Sequence, residues 1–221
     1  MKRITLLLLL VCCIGLQGFA TKIKVACIGN SITAGIAASD RAAKGYVGVF
    51  TEMMGEEYDV RNFGVSGATC CRNTHKPYNQ LEAFTKAKEF EPDIVTIALG
   101  TNDSQPKVWN SGEFAKNFEA DLNYLCDEFA NLSSKPQIYL CLPIPIFPSE
   151  RWQHQPEVLA NEIIPIIKKV AEERGYPIID LYSALSDKGE ECYPKNDKLH
   201  PNDLGHRVIA ETIYQVVAAK R

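Results

Sequence analysis

Residues 93–99, DIVTIAL, form an almost unbroken apolar run, and a run of this kind restricts the fold more than any other segment of the chain. A strand with one wet face alternates apolar and polar side chains. A nearly continuous run is instead the pattern of a strand covered on both faces, as in a parallel sheet. Shorter runs of similar character recur at 23–28, 58–63, 137–142 and 177–181. Helical spacing lies between them. Residues 113–131 repeat apolar side chains at Phe114, Phe118, Leu122, Leu125 and Phe129, an amphipathic helix. Residues 45–54, 80–90, 158–174 (closed by Gly175) and 203–219 (capped by Asn202 or Asp203 after Pro201) read the same way.

Strands separated by helices of this length predict an α/β fold, a three-layer α/β/α sandwich on a five-stranded parallel sheet. Sites in such sheets form at the carboxyl ends of strands. No internal repeat, low-complexity tract or linker interrupts the pattern, so residues 21–221 are expected to make one domain. Residues 1–20 are set apart. Lys2 and Arg3 precede the apolar stretch 4–15, and Gly18-Phe19-Ala20 offers a small-x-small cleavage site. This is the pattern of a secretory signal peptide rather than of a membrane anchor. Neither Cys12 nor Cys13 follows the small residue that lipoprotein processing wants. Export to a bacterial periplasm or the extracellular space without stable membrane insertion is the expectation.

Without Lys2 and Arg3 the formal charge moves from −3 to −5. A mildly acidic chain with no basic cluster argues against nucleic acid as a partner. Six cysteines follow residue 20. Cys27 and Cys141 sit within strand-like runs and read as buried thiols. If a bridge exists, Cys70 or Cys71 with Cys192 is the pairing to consider, although connectivity cannot be read from spacing. No CxxC or HExxH pattern occurs, so no metal site is expected.

Three segments carry groups suited to acyl transfer: GNSIT at 29–33, GTND at 100–103 and DKLHPN at 197–202. Ser31 alone is weak, since a serine after a strand often only caps a helix. Thr33 also stands where a nucleophile elbow would have its second glycine. His200 alters the weighing. Asp197 lies three residues before it, so a carboxylate can hold one ring nitrogen and leave the other as a base for a serine hydroxyl. Of the other histidines, His206 falls inside the last helix, and His75 and His154 have no aspartate at similar spacing. Asn102 follows the most apolar strand and can donate to a developing oxyanion, or simply form an Asx turn. Gly67 in NFGVSGAT can offer a backbone N–H to the same oxygen, with Gly64 competing for that role. The N–H of Ser31, placed at a helix start, would be a third donor.

Taken together and in this order, Ser31 in GNSIT, Gly67 in VSGAT, Asn102 in GTND and His200 in DKLH resemble the four blocks of the SGNH (GDSL-type) hydrolase superfamily. The resemblance runs through nearly all of 21–221. It implies a flavodoxin-like sheet, a Ser31–His200–Asp197 triad, an oxyanion hole of Ser31, Gly67 and Asn102, and no cofactor. One departure is Asn30, where the family usually has aspartate before the serine. Within the superfamily, IKVACIGNSITAG, VRNFGVSGAT and the KPY at 76–78 resemble secreted bacterial carbohydrate esterases, similar to sialate O-acetylesterases or acetylxylan esterases. The implied substrate is an acetylated glycan or another small ester. Tyr78, Trp109 and Trp152 fall in loops near the expected site edge, as sugar platforms or as loop anchors. A broad short-chain esterase, lysophospholipase or thioesterase with the same triad is the alternative. A non-catalytic glycan-binding protein would be expected to have lost a triad position, and none is altered.

Overall fold

A computed structural model describes residues 21–109 and 117–219. The leader assigned to residues 1–20, with Cys12 and Cys13, and the predicted helix start at 113–116 lie outside the described residues.

Five strands form one parallel sheet: β1 (Ile23–Gly29), β2 (Tyr58–Gly64), β3 (Ile94–Ala98), β4 (Gln137–Cys141) and β5 (Ile178–Ile179), in the order β2-β1-β3-β4-β5. The register sets Val25 between Val60 and Ile94, and Ile97 beside Leu140. Alternate side chains of the continuous apolar runs enter two separate cores. Ala26, Ile28, Val95 and Ile97 face one, while Val25, Cys27, Ile94 and Ala98 face the other. This double burial is why no polar alternation marks these strands.

Helices cover both faces. The first face packs α2 (Glu82–Glu89), the short α3 (Pro106–Trp109), α4 (Phe118–Ala130) and α6 (Ile164–Arg174) through Phe84, Trp109, Leu125, Phe129 and Ile167. The second packs α1 (Tyr46–Met54), α7 (Leu181–Ser186) and α8 (Asp203–Ala218) through Phe50, Leu185, Ile209 and Ile213. The protein is a three-layer α/β/α sandwich of flavodoxin-like type.

The differences from the sequence expectation have local causes. β5 pairs over two residues only, a short edge strand that leaves little exposed backbone to template other chains. The strand gives way to α7, where the Asp180 side chain caps the N–H of Ser183 at 2.9 Å. The helix expected over 158–174 begins as α5 (Pro156–Val158) and widens to a π-turn at Leu159–Ile163 before α6. Pro165 explains the widening: it has no N–H for the carbonyl four residues back, and its ring crowds that carbonyl. Asn202 rather than Asp203 caps α8, accepting from the N–H of Gly205 at 3.1 Å.

The six described cysteines are buried and form no disulfide among the described residues. A bridge from Cys70 or Cys71 to Cys192 is ruled out by the layering, because Cys192 packs in the core on the opposite side of the sheet. Among the described residues no helix is long and apolar enough to cross a membrane.

Candidate active site

The chain leaves β1 for β2 on one side and later enters β3 on the other. The loops after β1, β2 and β3 therefore meet at one edge of the sheet, as expected at such a switch point. Ser31, Gly67, Asn102 and His200 all line one cavity of about 500 Å³ at this edge. A larger groove of about 670 Å³ runs between α1 and α8, lined by Lys44, Glu52, Met53, Asp203 and Arg207 among others, and no serine, cysteine or histidine lines it.

Ser31 sits in a run of turns rather than at the start of a helix, because the first helix begins only at Tyr46. The expectation of a helix start at Ser31 is therefore corrected. Asn30 shapes the turn, its Oδ1 accepting the N–H of Ile32 at 2.9 Å. An amide oxygen does here what the usual aspartate oxygen could do. Thr33 is anchored by the Tyr46 hydroxyl at 2.9 Å. Gly64 backs the turn so closely that a Cβ would lie 2.5 Å from the N of Ala34. That packing role separates it from Gly67, whose φ of 80° favours glycine.

Ser31 Oγ lies 2.9 Å from Nε2 of His200, and Nδ1 of that ring lies 2.9 and 3.0 Å from the two oxygens of Asp197. A carboxylate only accepts, so Nδ1 carries the proton and Nε2 is left to accept from the serine. Asp197 Oδ1 also accepts from the backbone N–H of His200 at 3.1 Å and from the Trp152 indole at 2.7 Å. Burial pushes the Asp197 carboxyl up, but these donors more than offset it and hold the pKa below the ordinary aspartate value. Asp197 is thus kept ionised behind the imidazole.

Asn102 Nδ2 donates to the Ala68 carbonyl at 2.9 Å. That contact fixes which end of the amide is nitrogen and leaves its second N–H unspent. Asn102 Oδ1 faces His154 Nε2 at 3.2 Å and Gln105 Nε2 at 3.4 Å. The backbone N–H groups of Ser31 and Gly67 have no acceptor among the described residues.

Two features of this edge escaped the sequence reading. Residues 152–155 form a strap across it. Trp152 holds Asp197 and sets its ring edge-on to His200, with centroids 5.2 Å apart. His154 holds Asn102, and Gln155 Nε2 donates to the Ser104 carbonyl at 3.0 Å. Burial lowers the pKa of His154 to about 4, with the nearby His200 and Lys107 adding to the effect. It is neutral at pH 7 and donates through Nε2. The second feature is Asp103, fully buried, whose oxygens accept the N–H groups of Cys70 and Cys71 at 3.0 and 2.8 Å. With the Asn102 bond to Ala68, GTND is therefore tied three times to the loop that carries Gly67.

The three aromatic side chains separate. Trp152 lines the cavity. Tyr78 is wholly buried, donating its hydroxyl to the Phe63 carbonyl at 2.8 Å. Trp109 is 6 % exposed and donates its indole N–H to Glu162 at 2.8 Å. Tyr78 and Trp109 are core anchors, since burying each ring and satisfying its polar tip is met inside the fold.

Comparison with known proteins bears on the fold and the family. An acetylxylan esterase from Xylanibacter ruminicola is 38 % identical over 205 residues, covering 86 % of this chain and 42 % of the relative. The chain thus spans about two fifths of that protein's length. Among solved structures, the native M. smegmatis aryl esterase superposes with a TM-score of 0.71 at 18 % identity, covering 89 % of this chain and 99 % of that one. A carbohydrate acetylesterase from Sinorhizobium meliloti does so with 0.69 at 20 % identity, covering 90 % and 100 %. At such identities these two likenesses speak for the fold. The GDSL-like lipase/acylhydrolase family model matches residues 27–208, from within β1 to within α8 and so across every loop of the cavity; the chain belongs to that family of carboxylic ester hydrolases.

Proposed function

We propose that the protein is an exported serine esterase that removes O-acetyl groups from carbohydrates. The observation that carries the reading is the unbroken hydrogen-bonded chain from Ser31 Oγ through both nitrogens of His200 to Asp197, opening on a cavity. His200 Nε2 takes the serine proton as Oγ attacks the acetyl carbonyl carbon. The negative oxygen is received by the N–H groups of Ser31 and Gly67 and by the free N–H of Asn102. His200 then gives its proton to the departing sugar oxygen, leaving an acetyl-serine. Water, deprotonated by the same nitrogen, attacks that ester and releases acetate. The name of the Xylanibacter relative supports acetyl as the acyl group and a glycan as the alcohol.

Acetate release from acetylated glycans, set against turnover of p-nitrophenyl butyrate and a lysophospholipid, tests the reading. Preference for the glycan is expected, and preference for the lipid would overturn it. Export with removal of residues 1–20 predicts a mature N-terminus at Thr21. A leader retained in the cytosol would contradict it.

A further inference from the structure

The cavity at Ser31 shares its walls with two neighbours. On one side His75 and Lys107 also line a depression of about 350 Å³ that holds Asn73 and Thr74. On another, Arg151 also lines a depression of about 370 Å³ that holds Ser149, Lys195 and Lys198. These two depressions have no lining residue in common. The cavity at Ser31 therefore adjoins a separate depression at each of two walls, a three-part groove.

The groove has a charge that the whole molecule lacks. Acidic residues outnumber basic ones, 27 to 24, over the chain. Yet the lining of the central cavity includes Lys107 and Arg151 and no carboxylate. Glu150 is the one acidic side chain along the three depressions. Elsewhere on the surface Lys44, Lys86, Lys88 and Lys169 each have a carboxylate partner. Among the described residues Lys107, Arg151 and Lys195 have none within 4.0 Å, while Lys198 is paired to Glu190 at 3.1 Å. Arg151 stacks over the Trp152 ring at 4.8 Å, which steadies the guanidinium and leaves its N–H edge available. The field also reaches into the cavity: burial first, then Lys107 and Lys76, lower the pKa of His75. Unpaired cations along a concave surface concentrate anionic ligands.

We propose that this groove binds a polyanionic glycan, an O-acetylated polysaccharide whose backbone repeats a uronic-acid carboxylate. Lys107 and Arg151 receive carboxylates of sugars flanking the one whose ester lies at Ser31. A neutral chain gains nothing from these cations. A lone acidic sugar engages one end of the groove only. The inference rests on the esterase reading and extends it to the substrate's backbone.

The test measures kcat/KM on acetylated polygalacturonate, acetylated uronic-acid-free xylan and p-nitrophenyl acetate. At about 20 mM salt the acidic polymer is expected to be preferred over the neutral one by at least about tenfold. The preference shrinks toward unity near 0.5 M salt, as screening shortens the reach of each charge. Lys107→Gln and Arg151→Gln, both at exposed positions, should each lower the acidic-to-neutral ratio several-fold, chiefly through KM, and the double variant should abolish it. Equal rates on the two polymers, or a ratio indifferent to salt and to both substitutions, would overturn the acidic-backbone proposal while leaving the esterase reading intact. A fall in kcat of the same size on all three esters in Lys107→Gln would overturn it too, by making that lysine an oxyanion stabiliser. Failure to cleave any of the three would remove the esterase reading itself, and this inference with it.

Discussion

Trp152 touches the proposed triad at two points, through its indole N–H on Asp197 and its ring against His200. Trp152→Phe keeps the ring and loses the donor. It should lower kcat by about tenfold on p-nitrophenyl acetate, equivalent to about 1.4 kcal/mol of transition-state stabilisation, with KM little changed. An unaltered kcat would mean the indole only packs. Asn102→Ala removes a donor of the kind worth about 100- to 1000-fold in rate, so kcat should drop at least about 100-fold in steady-state assays. An effect on the unfolding midpoint alone would favour the turn reading. The pairing of Asp197 with His200 was legible from sequence because DxxH places acid and base on one turn. Ser31 stood out only beside that pair and through the joint resemblance of the four blocks. The contacts of Trp152 and His154 were not legible. They join residues 45 and 52 positions apart, and no local spacing encodes a meeting set by where two loops land.

Loops after successive strands build this edge, and Asp103 shows how they are held in register. Its carboxylate is wholly buried and takes two backbone N–H groups from the Gly67-bearing loop. Asp103→Ala leaves both donors unsatisfied in the interior, at a cost of about 1–3 kcal/mol each. A fall in unfolding free energy of at least about 2 kcal/mol is expected in urea titration. Asp103→Asn, which can still accept once, should lie between alanine and wild type. An unchanged midpoint in the alanine variant would show that the loop is held by other means. The strands and most helices were legible because apolar runs and 3.6-residue spacing are local. The π-turn at Leu159–Ile163 was not apparent, even though Pro165, which explains it, stands in plain view. Whether a proline ends, kinks or widens a helix depends on what packs around it, here Ile163 and Ile164 in the core.

At the scale of the whole molecule, acid should destabilise the fold through its buried neutral histidines. His206 is wholly buried, accepting from the N–H of Tyr46 and donating to the Ile36 carbonyl, and burial lowers its pKa. His154 is lowered to about 4. Unfolded, both take protons near the ordinary value of about 6.5, so the unfolded state binds more protons than the folded one. Their contribution is therefore complete above about pH 6.5 and is lost as pH falls toward their folded values. Thermal melts should show Tm declining from pH 7 to pH 4. A flat profile would contradict the neutral assignment. The layer architecture was visible in the runs buried on both faces. The order β2-β1-β3-β4-β5 was implied only by the resemblance to a flavodoxin-like family, because strand neighbours are chosen by crossovers rather than by composition.

Ser31 must form a covalent bond to substrate if the protein is a serine esterase. Peptide mapping by mass spectrometry after reaction with a fluorophosphonate probe tests this most directly. One adduct is expected, on the peptide and at the oxygen of Ser31, and none in Ser31→Ala. An adduct at another residue, or labelling undiminished in that variant, would contradict that role for Ser31.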